Sequence, residues 1–137
     1  MSATIRIQLP LPPSVNGSYA NVPGKGRVAT PALTQWKKDA GWMLQSQRPA
    51  RVEGPYRFAI YLPSYTRGDI DNRTKCVMDL LVAHGITPDD RHAVSAFAER
   101  SEVVSMGECL VVIEAVENAR ILRAAEKRGR GVRRARA

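Results

Sequence analysis

The sequence predicts a small α+β domain: one mixed sheet of about four strands, two main helices, and a basic C-terminal segment of helical character. Three observations carry this. Strand-like stretches recur at residues 4–9, 56–62, 92–98 and 109–116, each alternating in polarity or rich in β-branched and aromatic residues. Two stretches with three- and four-residue apolar spacing, 31–47 and 72–84, interleave with them. A chain of 137 residues encloses one modest core. The order strand, helix, strand, helix, strand, strand is that of an α+β fold, and so thin a core favours a dimer.

Ile5, Ile7 and Leu9 alternate with polar residues, the pattern of a half-buried strand. Pro10, Pro12 and Pro13 stop it, since proline has no ladder donor. Residues 14–19 read as a turn-rich loop, and Gly24-Lys25-Gly26-Arg27 as a basic loop, either a solvated hairpin tip or a contact to a phosphate backbone. No Gly-Lys-Ser/Thr follows, which excludes a nucleotide phosphate loop. Thr30-Pro31 reads as an N-cap with proline at the first helical position, where a missing N–H costs nothing. Leu33, Trp36, Ala40, Met43 and Leu44 then mark one apolar face, and Trp36 and Trp42 are expected in the core or a subunit contact. The second strand, 56–62, leads through a loop at 63–68 into a helix from Asn72, with Cys76, Val77, Leu80, Leu81 and His84 on one stripe and Gly85 as the left-handed stop.

Composition narrows the class. No window approaches the roughly 20 apolar residues of a spanning helix, and residues 1–6 show no basic stretch leading into an apolar one, so a cytoplasmic protein with no membrane partner is expected. Cys76 and Cys109 match no zinc spacing and are expected as reduced thiols. The net charge of +8 is concentrated: residues 120–137 hold eight basic residues against Glu126 alone. The basic excess therefore belongs to an Arg-rich tail, expected at 119–137, rather than to the body at 1–118. A polyanion partner fits such a segment, because each phosphate contact releases counterions.

The densest chemistry lies in Asp69-Ile70-Asp71-Asn72-Arg73-Thr74-Lys75, answered by Asp89-Asp90. In an extended loop, side chains at i and i+2 share a side, so Asp69 and Asp71 can face one point. Two carboxylates with a third from Asp90 or Asp89 form the hard oxygen set that suits Mg²⁺ alongside a substrate phosphate, and metal-assisted phosphodiester hydrolysis is its usual use. Asp71 is equally suited to capping a helix, although a cap leaves Asp69 unexplained. Lys75 stands one turn after Asp71, placed either to stabilise transition-state charge or merely to pair with Asp71 or Asp79. Asp79 reads as a solvated charge. Asn72 is placed to hold a carboxylate in its metal-binding rotamer. A helix over 72–84 spans about 20 Å, and residues 85–90 reach at most about 20 Å. Asp90 therefore meets Asp71 within one chain only if the return loop runs nearly straight back; otherwise a partner subunit completes the site.

Asp69-x-Asp71-Asn72-x-x-Lys75, then Asp79-x-Leu81, Gly85-Ile86 and Asp89-Asp90, with Pro12-Pro13-Ser14-x-Asn16 upstream, resemble the RusA family of Holliday junction resolvases, common in prophages. The resemblance covers roughly residues 5–116. It implies a homodimeric Mg²⁺-dependent endodeoxyribonuclease, with Mn²⁺ as a substitute, that nicks branched four-way DNA in recombination and repair. The implied set is Asp69, Asp71 and Asp90 as metal ligands with Lys75 assisting, and Asn72 and Asp89 supporting the carboxylates. Arg73 stands where an apolar residue is usual, and the loop before Asp69 carries only Arg67 where relatives often carry more basic residues. DNA contacts are accordingly expected from Lys25, Arg27, Arg67, Arg73 and the tail. The competing reading is a non-catalytic basic DNA-binding protein acting through the tail. The chain is too short for a nucleotide-sugar transferase with an Asp-x-Asp motif, and Ca²⁺ storage fails on spacing.

Overall fold

A computed structural model describes residues 4–68 and 70–116, apart from the side chains of Val15, Asn16 and Asp71. The tail expected at 119–137, and with it the division at residue 118, lies outside the described residues.

Strands β1 (Thr4–Pro10), β4 (Tyr56–Pro63), β5 (Ala93–Ser101) and β6 (Glu108–Ala115) form one sheet in the order β1-β6-β4-β5. β6 runs antiparallel to both β1 and β4, whereas β4 and β5 are parallel and joined by a crossover through a helix. The sheet is thus mixed, as the sequence predicts. Helix α2 (Pro31–Gln47) starts as its signals require, with Thr30 accepting from the Leu33 N–H and Pro31 in the first turn. The crossover helix α3 (Thr74–Ala83) ends before Gly85, whose φ of 71° is the left-handed stop.

Alternation assigns the faces. Ile5, Ile7 and Leu9 of β1, Tyr56, Phe58, Ile60 and Leu62 of β4, and Cys109, Val111 and Ile113 of β6 are buried. They form one core with Leu33, Trp36, Ala40 and Leu44 of α2 and Val77, Leu80 and Leu81 of α3. Burial of each large side chain contributes about 1.5–3 kcal/mol before the entropy of ordering it. Burial also lifts the Cys109 thiol to about 12, and both cysteines are free, as expected of inert core residues. The other sheet face stays open: Arg6, Arg57 and Phe97 are exposed on it.

Three details differ from the sequence expectations, and in a fourth the basic loop takes the hairpin-tip form of its two readings. Residues 15–18 form a short helix α1 (Val15–Ser18), capped by Ser14 accepting from the Gly17 N–H. The basic loop is the tip of a second, two-stranded sheet, β2 (Tyr19–Val22) and β3 (Gly26–Ala29), in which Gly24 and Gly26 supply the positive φ of the turn. Trp42 is 72% exposed and takes no part in the core, unlike Trp36, whose Nε1 donates to the Pro10 carbonyl. Finally, a 3₁₀ turn (Ile70–Arg73) precedes α3, so the segment is not extended at Asp71 and the cap position of α3 falls on Arg73, which caps nothing with its side chain. The helix-cap reading of Asp71 is thereby removed for α3. Among the described residues no helix is long and apolar enough to cross a membrane.

Candidate active site

The site forms where the first turn of α3 meets the end of the return loop. The α-helix is shorter than the sequence suggests, ten residues or about 15 Å, and the 85–90 segment runs back beside residues 51–56. Val52 donates to the Ile86 carbonyl at the start of that path. A second 3₁₀ turn (Asp90–His92) closes it, capped by the Asp89 carboxylate accepting from the Arg91 N–H. Asp89 therefore orients the turn that presents Asp90.

Asp90 Oδ2 accepts from Lys75 Nζ at 2.9 Å, within one chain and across fifteen residues of sequence. The same ammonium lies 3.1 Å from Asp79 Oδ1, one turn along α3. Asp79, which reads in the sequence as a solvated charge, is thus a second partner of Lys75. The Lys75 side chain is 62% exposed and that of Asp90 42%, so the pair adds little to stability. Its effect is on protonation. The hydrogen bond to Asp90, then that to Asp79, hold the Lys75 ammonium above its ordinary range, and Lys75 first, then Asp89, hold the Asp90 carboxyl below its own. Near neutrality both are charged. Tyr56, buried at the start of β4, completes the wall: burial first, and then the Asp90 and Asp89 carboxylates, keep its hydroxyl neutral. Nothing in the local sequence marks Tyr56, because its link to Asp90 is purely tertiary.

Two arginines hold Gly68 and the Ile70–Arg73 turn from either side. Arg100 of β5 donates through Nη2 to the Gly68 carbonyl at 2.8 Å and through Nε to the Thr66 carbonyl at 3.3 Å. Arg73, half-buried, donates to the Pro12 carbonyl. A buried contact between Ser18 Oγ and Cys76 Sγ adds a second tie between the Pro12–Ser18 segment and α3. Replacing Arg100 with Met is expected to leave the core intact but lower nicking about tenfold, since misplacing a reacting group by 1 Å costs up to about 10²-fold. Unchanged cleavage with an unchanged thermal midpoint rules out that positioning role.

The remaining candidates are more scattered. Asp69 and the side chain of Asp71 lie outside the described residues, and among the described residues no three carboxylate, thiol or imidazole groups converge as a metal cluster. Asn72 is half-buried in the 3₁₀ turn. Lys25 and Arg27 are exposed on the hairpin, the Arg27 guanidinium lying 4.4 Å from the centre of the Tyr19 ring. Arg67 is exposed beside the Asp69 segment. The sequence model of a family described as Endodeoxyribonuclease RusA matches residues 10–114. No curated protein matches the chain.

Proposed function

The chain belongs to the endodeoxyribonuclease RusA family, and from that membership we propose that it is a Mg²⁺-dependent endonuclease that resolves four-way DNA junctions by hydrolytic nicking, in recombination and repair. The observation that carries the reading is the Lys75–Asp90 contact, which joins two members of the implied catalytic set that the sequence holds far apart. The nuclease unit is taken as residues 1–118, with 119–137 as an appended basic segment.

Asp90 presents a partly exposed carboxylate with an ammonium at 2.9 Å, a position suited to a cation, and its oxygens are the hard donors Mg²⁺ or Mn²⁺ prefers. Asp69, Asp71 and Asp90 would hold the metal. When bound, it neutralises the scissile phosphate and lowers the pKa of an attacking water. Hydrolysis joins the water oxygen to phosphorus and breaks one bridging P–O bond, and the departing oxygen takes up a proton. Lys75, kept protonated by its two carboxylates, offsets the negative charge that grows on the phosphoryl oxygens. Tyr56 and Asp89 fix the approach of Asp90, and Asn72 steadies the carboxylates beside it. Lys25, Arg27 and Arg67 supply phosphate contacts, whereas Arg73, turned onto the Pro12 carbonyl, serves chiefly to hold the Pro12–Ser18 segment against the site.

The open sheet face supports the homodimer. Tyr61 and Phe97 meet edge-on at 6.1 Å there, and Phe97 remains 49% exposed. Half-buried Leu110 and Val112 lie beside them within a rim that includes Arg6, Arg57 and Glu114. An apolar centre with a rim of both charge signs suits a second copy of the same surface.

The deciding experiment compares a labelled four-way junction with a linear duplex, in Mg²⁺ and in EDTA. Nicks confined to the junction and dependent on Mg²⁺ are expected. Absence of Mg²⁺-dependent cleavage on any branched substrate refutes the reading.

A further inference from the structure

Beyond the end of α2, Arg48 adopts φ 47° and ψ 55°, and it is the single non-glycine residue at positive φ among the described residues. Glycine suits this helix-ending position, and an L side chain there costs about 1 kcal/mol. Backbone geometry thus does not explain the arginine. Local bonding does not either, since the exposed Arg48 side chain makes no hydrogen bond or ion pair among the described residues. Backbone strain of this kind, kept without a structural return, points to a function of the side chain.

Its neighbours indicate which. Arg48 lines a cleft of about 250 Å³ with Gln45, Arg51 and His84, above Leu44 and Ile86. The Arg51 guanidinium, also exposed and unpaired among the described residues, rests on Gly85, with Nη1 3.7 Å from where a Cβ would stand. The His84 ring packs on Gly41 of α2, with Nε2 3.1 Å from the corresponding Cβ position, so two glycines give room to the groups that shape the cleft. Among the described residues no carboxylate lines it. The C-termini of α2 and α3 converge here and attract cations, yet neither guanidinium hydrogen-bonds a helix-terminal carbonyl, so capping does not account for the pair.

We propose that the Arg48–Arg51–His84 cleft is a second phosphate-binding subsite, which grips the backbone of the DNA whose scissile phosphate lies at Lys75 and Asp90. The nature of the anion rests on the nuclease reading. His84 follows Lys75 by nine positions, about 14 Å along the α3 axis and half a turn around it, so a strand that passes round the end of α3 spans at least about four nucleotide steps at 3.4 Å of axial rise. Two fixed forks of guanidinium donors suit phosphate oxygens, and the cleft then sets how the strand runs away from the cut.

The test uses the full chain carrying Asp90→Asn, so that binding is read without cleavage. Affinity for a labelled four-way junction is measured by fluorescence anisotropy from low to moderate KCl, for that parent and for Arg48→Gly, Arg51→Gln and Lys37→Gln added to it. Each cleft substitution is expected to weaken binding several-fold and to lower the slope of log K against log salt by about one. Lys37→Gln removes the same charge from an exposed position early in α2, outside the cleft and the sheet face, and is expected to leave the slope unchanged. Arg48→Gly is also expected to keep or raise the thermal midpoint, because it relieves the left-handed strain, which separates lost binding from lost folding. The proposal is overturned if both cleft variants bind like the parent, or if Lys37→Gln weakens binding equally, which would reduce the effect to net charge. Cleavage by the chain with Asp90 intact is scored separately: cutting without a cleft effect sinks the subsite alone, while neither binding nor cutting of any junction sinks the nuclease reading with it.

Discussion

Asp90→Asn is expected to lower nicking of a four-way junction by on the order of 10³-fold or more, while binding of the same junction persists or tightens. An amide is the size of a carboxylate but is a neutral, weaker ligand for a hard cation, and losing several kcal/mol of transition-state stabilisation corresponds to such a factor. The fold is not at stake. Asp90 sits partly exposed at the start of a 3₁₀ turn that Asp89 caps, and the core under Tyr56 does not depend on its charge. Binding is preserved because removing one negative charge lessens repulsion of phosphate. The paired measurement is cleavage of a labelled junction in Mg²⁺ and electrophoretic binding in Ca²⁺. A variant that cuts within tenfold of the parent removes Asp90 from the catalytic set. Asp71→Asn is expected to behave alike.

Sequence legibility follows where each contact lies. Helix α2 is readable to its first residue, because Thr30 and Pro31 act through local backbone chemistry and Leu33, Trp36, Ala40 and Leu44 all face one core. β1 is readable because it alternates against a single buried face, and β6 because it is an apolar run rich in β-branched residues. The β2–β3 hairpin is barely so: its residues are nearly all exposed, so no apolar period marks them, and only the turn glycines give a hint. β5, an edge strand with its large Phe97 turned outward, is readable over 92–98 but not in its extension to Ser101. In the site, the Asp-x-Asp-Asn-x-x-Lys spacing draws attention to Lys75, but its nearest carboxylate comes from a loop that only the fold brings back. Arg73 and Arg100 show the opposite limit. A sequence offers each as a surface cation, whereas each is turned onto a backbone carbonyl, Pro12 in one case and Gly68 in the other.

Lys75→Met is the companion test, and its pH dependence separates the two roles open to a lysine at this place. The folded pKa of Lys75 is raised by Asp90 and Asp79. Any stability its pairing supplies is therefore complete below the ordinary lysine value of about 10.4 and is lost only as pH rises through the higher folded value. The folded pKa of Asp90 is lowered, so its share is present above the ordinary value of about 3.9 and is lost as pH falls through the lower folded one. Between roughly pH 5 and 9 neither group titrates. A cationic Lys75 then predicts that Lys75 adds no inflection to the rate profile in that window, and that Lys75→Met lowers nicking about 10²–10³-fold at every pH within it, the usual cost of removing one charge-stabilising donor. Lys75→Arg, which keeps the charge, is expected to recover part of the loss. A lysine acting as general base predicts instead a rate that climbs toward alkaline pH and an arginine variant as inactive as the methionine one. The comparison is a single-turnover pH profile of the three proteins, and a rising alkaline limb that disappears in both variants would assign Lys75 the base role in place of the cationic one.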